Sequence, residues 1–311
     1  MRVVPYDPTR ESSWNEFVKG SRNGLFLFDR QYMEYHSDRF VDYSLMFYEG
    51  EKLLAIMPAN VEGSKVISHG GLTFGGIISG KRVNAETMLR LFEGLLERLR
   101  ADGVDTLIYK AVPHIFHDLP AEEDLYALYR SDAELVRRDA SEVIDLRRDL
   151  PFSKGRKWCI NKGKKHGVIV GQSEEYESFM EIEADLLRSK YNAEPTHSAS
   201  ELKLLAGRFP ENISLYMATL EDHLVAGVII YESKKVAHTQ YIGATSLGKE
   251  VGALDCILSY LITERYSDKH YFDFGISTEN DGLYLNTNLA KNKESYGGRM
   301  IVFDTYRINL R

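Results

Sequence analysis

At 311 residues, 43% of them apolar and 27% charged, the chain is long enough for one large or two mid-sized globular domains and lacks the bias of a disordered protein. A net charge of −7 excludes a general coat for DNA or RNA, and no apolar run approaches the ~18 residues that cross a bilayer. Cys159 and Cys256 make no disulfide framework, and the first residues show no signal-peptide pattern, so a cytoplasmic protein is expected.

In chain order, the pattern predicts a strand over 2–6 and helices over 11–19 and 30–37. Apolar runs at 43–49 and 52–59 meet at Gly50 and read as a hairpin. A third run, 65–78, is broken by Gly70, Gly71, Gly75 and Gly76. Residues 84–101 place Met88, Leu91, Phe92, Leu95, Leu96 and Leu99 on one helical face, and Gly103 stops that helix. A strand over 104–109, a helix near 121–130 and a strand near 134–146 complete this half.

The same order then returns. A strand at 168–172 precedes helices at 174–191 and 199–207 and a three-strand meander at 215–220, 224–231 and 236–242. An amphipathic helix over 251–266 and a strand over 270–274 follow. An offset of roughly 165–170 residues is too long for a solenoid, so it marks a duplicated domain. Tight turns force antiparallel pairing, whereas the long helix permits a parallel neighbour. The expected fold is α/β (α+β), with domains at 1–150 and 151–311, each a mixed, mostly antiparallel sheet flanked by helices.

Chemistry-bearing residues concentrate at 271–299. Asp273 closes a strand, a polar loop at 275–282 carries Ser277, and Asn286, Lys291, Lys293 and Tyr296 follow. A second stretch, 243–250, approaches the phosphate-binding pattern G-x-x-x-x-G-K-[ST], but Glu250 stands where a hydroxyl would hold magnesium and an antiparallel strand precedes it. It reads as a strand-to-helix turn, either bare or holding an anion at the helix start. Lys154, Arg156, Lys157, Lys162, Lys164 and Lys165 form a basic island without an acidic residue. That island is either a solvated helix face or a phosphate contact. Four glycines in the stretch 68–76 imply a close backbone approach near His69, either a bulged strand with a satisfied histidine or a face toward the acceptor. His114, His117 and Asp118 have no partner at ligand spacing, so no metal is expected.

Several of these stretches resemble one family. Gln240-x-x-Gly243-Ala244 matches the first half of the Q/R-x-x-G-x-G/A turn with which GNAT acetyltransferases cradle the donor pyrophosphate. The helix that starts at Arg156-Lys157, the Asp273-x-Gly275 step and Leu289-x-x-x-Lys293-Glu-Ser-Tyr296-Gly297-Gly298 resemble the FemAB-like branch, which carries two GNAT-type domains in tandem. Asn288, Asn292 and Tyr296 depart from that closing signature, which has Gly, Phe and Phe there, and this leaves the substrate class open.

The resemblance, which covers most of the chain and looks nearest to members associated with cell-surface polysaccharide synthesis, implies an N-acyltransferase. It would act on an amine of a cell-envelope glycan or peptidoglycan precursor, nucleotide-linked or free. No tightly bound cofactor is implied; acyl-CoA (acetyl-CoA) or aminoacyl-tRNA would be the co-substrate, and the acidic chain favours CoA over a whole tRNA. Gln240, Gly243, Ala244, Gly248 and Lys249 would meet the donor. Asp273, Lys293 and Tyr296 would serve catalysis, as orienting group or base, positive charge, and proton source. His69, Arg156, Tyr191, His197, Ser277 and Asn286 would contact the acceptor. The first half has no counterpart of Lys293 after Tyr109, so the second half would hold the active site and the first would face the acceptor. The rival is a module that keeps the fold and binds a precursor or partner without chemistry.

Overall fold

In the computed structural model the described residues are 1–148, 151–191 and 193–311, without the side chains of 190 and 191. The chain divides into two compact units. Unit 1 is Met1–Ala140 with Thr278–Tyr284 and Val302–Arg311; unit 2 is Ser141–Ser277 with Leu285–Ile301. The sequence reading cuts once, at 150, and gives 278–311 wholly to the second half. The difference has a simple cause. The last strand, Arg299–Asn309, pairs its residues 305–309 antiparallel with Thr106–Lys110 of unit 1, a partnership that no local pattern announces. No helix among the described residues is long and apolar enough to cross a membrane.

In unit 1 the hairpin forms as expected, with Leu45–Glu49 and Lys52–Met57 joined through Gly50 at φ +58°. The helix Ala85–Ala101 is capped by Asn84, whose Oδ1 accepts from Thr87 N at 2.9 Å. It buries Met88, Leu91, Phe92, Leu95 and Leu99 against Leu45, Phe47 and Leu107, while Leu96 is only half-buried. The third run does not continue the meander. It is a short strand, Lys65–Ile67, parallel to Thr106–Lys110 and paired antiparallel with Asn60–Glu62. Beyond it the chain folds back on itself before Ile78–Ser79 rejoins Lys52–Met57. Glycine permits that fold: a Cβ on Gly75 would lie 2.6 Å from Ser68 O.

Unit 2 is built on the meander Ile213–Leu220, His223–Glu232 and Val236–Ala244, with Ile169–Ser173 on its far edge. Next to the meander lies Tyr271–Ile276, which pairs parallel with Val236–Ala244 over three residues only, 236–238 against 271–273. Its other edge pairs antiparallel with residues 141–145 of the strand Glu134–Asp145. The expected helix over 251–266 is broken. Ser246–Val251 ends at Gly252, φ +81°, and Ala253–Tyr260 begins on a new axis before a π-helical turn, Leu261–Arg265. Side chains at this break would strike the basic helix Lys154–Lys165: a Cβ on Gly252 would lie 2.6 Å from Cys159 O, and one on Gly163 would lie 2.4 Å from Cys256 Sγ. The basic island is therefore packed on one side through Ile160 and Gly163 and presents Lys154, Lys157, Trp158, Lys164 and Lys165 on the other.

Candidate active site

The strand Tyr271–Ile276 alternates, so Phe272 and Phe274 enter the apolar core and Asp273 turns to the other face, toward Ser141 and His238. Its register against 141–145 slips between Asp273 and Ile276, and Gly275 takes φ +74° at that bulge. Asp273 is fully buried. Three donors make this tolerable: Ser141 Oγ at 2.6 Å and Gly275 N at 2.9 Å on one carboxylate oxygen, and His238 Nδ1 at 2.8 Å on the other. Burial opposes its charge, yet the His238 ring and these hydrogen bonds hold the carboxyl below the usual range. When Nδ1 donates to Asp273 and the ring carries a single proton, its lone pair lies on Nε2; the side chain is 22% exposed. A Cβ at Gly275 would make only ordinary contact with that ring, 3.4 Å from His238 Cε1, so it is the φ of +74° that calls for glycine there.

The bulge also turns two carbonyls toward Lys293, which comes from the helix Thr287–Glu294. Its Nζ donates to Gly275 O at 2.7 Å and Ile276 O at 2.8 Å and stands 3.8 Å from Glu142 Oε2. Glu142 is fully buried, accepts from Ser277 Oγ, and has no partner for Oε1. Burial pushes the Lys293 ammonium down to about 8 against the raising effect of Glu142 and Asp273. Gly298 lets the returning chain close over this pair, because a Cβ there would lie 3.0 Å from Lys293 O and 3.2 Å from Glu142 Cβ.

The structure thus brings Asp273, Lys293 and Ser277 together and adds His238, Ser141 and Glu142, which the sequence reading omits. It gathers two other expected residues elsewhere. Tyr296 donates to Asp255 Oδ1 at 2.9 Å, and Arg156 bonds the same oxygen at 2.7 Å with its guanidinium 4.5 Å from the Tyr296 ring centre. Arg156 also donates to Ser295 Oγ. Tyr296 is 1% exposed, and burial, then Asp255, push its hydroxyl above the ordinary tyrosine range. That hydroxyl is already given to Asp255, and Arg156 joins the basic helix to Asp255 on Ala253–Tyr260. Asn286 is the N-cap of its helix, accepting from Leu289 N at 3.1 Å. His69 belongs to unit 1. The side chain of Tyr191 lies outside the described residues.

At the expected donor turn, Gln240 is the extra residue of a bulge, since Ile229 pairs with Tyr241 and Ile230 with Thr239. Thr245 caps the helix Ser246–Val251 through Gly248 N at 3.0 Å. Ala244 is buried and Lys249 exposed. The glycines have packing reasons of their own: a Cβ on Gly248 would fall 2.0 Å from Val225 O, and one on Gly243 would fall 2.8 Å from Glu183 Oε2. Glu183 is 6% exposed with no partner for Oε2, and burial pushes it up to about 7. Nearby on the same strand, Tyr241 Oη bonds His197 Nδ1 at 2.8 Å and accepts from His197 N at 3.2 Å.

Glu183 yields a signed prediction. The folded carboxyl keeps its proton to about 7, whereas the unfolded one releases it near 4.5, so stability falls as pH rises through that window. Glu183→Gln removes the effect, and urea titrations should show the variant gaining about 3 kcal/mol on the parent between pH ~4 and ~8. Equal pH slopes for parent and variant would contradict it.

Compared with known proteins, no family model matches the chain, and no curated protein sequence matches it. Solved structures do. FemX superposes with a TM-score of 0.68 at 10% identity, over 99% of this chain and 97% of FemX. The chain has the FemAB-like tandem GNAT fold. L-PGS from Bacillus licheniformis shares it at TM-score 0.63 and 13% identity, over 98% of this chain and 92% of that one. A conserved protein of unknown function from Bacteroides thetaiotaomicron matches at 0.59 and 12%, over the whole of both chains. The chain shares with them the fold; at such identities its site rests on the geometry above.

Proposed function

We propose that this FemAB-like chain is an N-acyltransferase that moves an acyl group from an acyl-CoA thioester to an amine of a cell-envelope glycan or peptidoglycan precursor, with unit 2 carrying the chemistry. The observation behind this reading is the pair His238–Asp273, a partly exposed base on a buried carboxylate where the strands 236–244 and 271–276 stop pairing. Asp273 fixes the tautomer, and His238 Nε2 takes a proton from the attacking amine as the C–N bond forms. The C–S bond of the donor breaks, and the proton passes to the leaving thiolate. Lys293 acts as a positioning residue, holding the Gly275–Ile276 carbonyls of the bulge that follows Asp273. On the donor side, Gln240 and the exposed Lys249 are the groups proposed to meet the CoA phosphates, beside Gly243, Ala244 and Gly248.

The test is a donor screen read by mass spectrometry. The protein is incubated with acetyl-CoA or aminoacyl-tRNA and a set of amino-sugar nucleotides and peptidoglycan precursors. An acetylated amine is the expected product. Product from aminoacyl-tRNA alone would replace the donor class, and tight precursor binding without product from any donor would favour the non-catalytic module.

A further inference from the structure

The helix Lys154–Lys165 of unit 2 holds six basic residues and no acidic one, in a chain of net charge −7. At 3.6 residues per turn, Lys154, Lys157, Trp158, Asn161, Lys164 and Lys165 fall within about 120° of its circumference and run for about 16 Å along it. All six are exposed. The opposite side is seated on Ala253–Tyr260: Arg156 bonds Asp255, Ile160 O faces Cys256 Sγ, and a Cβ on Gly163 would strike that sulfur. The helix therefore turns one continuous basic stripe to solvent.

Neither packing nor helix stability accounts for that stripe. Among the described residues the only ion pair of the helix is Arg156–Asp255, and Lys162 donates to Glu250 O at 2.6 Å. Lys154, Lys157, Lys164 and Lys165 have no carboxylate. The last two at least suit the negative end of the helix dipole. Lys154 and Lys157 stand in the first turn, where positive charge is unfavourable and no acidic side chain offsets it. Within the stripe Trp158 is 64% exposed, with Lys162 Nζ 5.5 Å from its ring centre.

Unpaired cations in a row call for an array of negative charge, and the shape of the stripe selects which. A single nucleic-acid strand is held in a groove that tracks its backbone and stacks its bases on successive aromatic rings. This face is a convex ridge with one ring, and the major groove of A-form RNA is too narrow to admit it. A plane touches such a ridge along its whole length. The headgroup layer of a bilayer is a plane of that kind, and it is where tryptophan side chains concentrate, ring toward the lipid and N–H toward water. The acidic remainder of the chain is repelled by an anionic surface, so the approach is oriented with the stripe foremost.

We propose that the outer face of Lys154–Lys165 is a docking surface for an anionic phospholipid bilayer, with its four unpaired lysines on the headgroups and the Trp158 ring in the interface.

The full chain is titrated with vesicles of phosphatidylcholine alone and of phosphatidylcholine with phosphatidylserine, and its tryptophan emission is followed; single-stranded RNA and inorganic phosphate are the controls. The chain has two tryptophans, and Trp14 is fully buried and donates to Phe28 O, so Trp158 carries the response. Anionic vesicles should shift the emission to the blue, neutral vesicles should leave it in place, and added salt should reverse the shift. Each lysine at an anionic surface contributes about fivefold in affinity, so Lys154→Gln combined with Lys157→Gln should weaken binding about 25-fold. Both substitutions remove charge that the helix dipole disfavours, so the variant should unfold at or above the parental midpoint. Unmoved emission with anionic vesicles, or equal binding to neutral ones, would overturn the proposal. A shift with RNA at a lower phosphate concentration than with vesicles would give the face to nucleic acid, and one with inorganic phosphate would reduce it to a site for a free anion. Parental affinity in the double variant would place the lipid contact elsewhere. No acyl donor or turnover enters the readout, so this result stands apart from the acyl-transfer reading.

Discussion

His238→Asn should lower kcat/KM for acyl transfer by about 10²–10⁴, with an unfolding midpoint close to that of the parent. Asparagine places a side-chain N–H where His238 Nδ1 meets Asp273, but has no basic nitrogen with which to take a proton. The buried carboxylate therefore keeps its third hydrogen bond and the fold keeps its anchor, while the amine loses its base. Asp273→Asn should behave differently. Its amide would present an N–H₂ group to at least one of the donors Ser141 Oγ, Gly275 N and His238 Nδ1, so both turnover and stability should fall. The measurement is steady-state kinetics with the donor–amine pair found in the screen, beside a urea titration of each variant. Parental kcat/KM in His238→Asn would remove the base from this mechanism and leave Glu183 as the group to examine.

Lys293→Met should destabilise the protein by about 3–5 kcal/mol in urea denaturation, because it leaves Glu142 buried without its cation and two carbonyls without their donor. Lys293→Met combined with Glu142→Gln should recover part of that loss, since the charge left behind is then gone. The lysine also gives stability a direction with pH. In the folded chain it releases its proton at about 8, whereas an unfolded lysine holds it to about 10.4. The unfolded state binds more protons between those values, so this group makes stability rise with pH across the window. Lys293→Met should flatten that rise. A loss below about 0.5 kcal/mol would show that the pair is not the buried interaction described, since only exposed pairs are worth so little.

The local patterns carry the helix Ala85–Ala101 and the unit 2 meander because each is decided by neighbours a few residues apart. Asp273, Ser277 and Lys293 are legible together for a similar reason, since they lie within one stretch of chain that ends a strand and enters a helix. Their partners are not. Ser141 and Glu142 meet them only because residues 141–145 lie along Tyr271–Ile276, a pairing between strands more than a hundred residues apart. His238 had a faint signal, a titratable side chain two positions before Gln240 on the same strand face. What singles it out is the three-residue parallel pairing that sets it opposite Asp273. Tyr296 and Arg156 illustrate the converse. Polar residues near the motif attract functional roles, yet the structure gives their hydrogen bonds to Asp255. Gly252, too, sits inside a sound amphipathic pattern, and only the approach of Cys159 explains why the helix must break there.

The close seating of Gly163 on Cys256 makes that thiol a clock. Cys256 is 6% exposed and points at Ile160 O across 3.6 Å, so a thiol reagent reaches it only when the helix Lys154–Lys165 lifts away. Its alkylation rate therefore counts the openings of that helix, with the more accessible Cys159 on the helix itself as the internal reference. Any polyanion that settles on the outer lysines without disturbing the packed face leaves the clock running at its own rate, and one that pries the helix from Ala253–Tyr260 speeds it up.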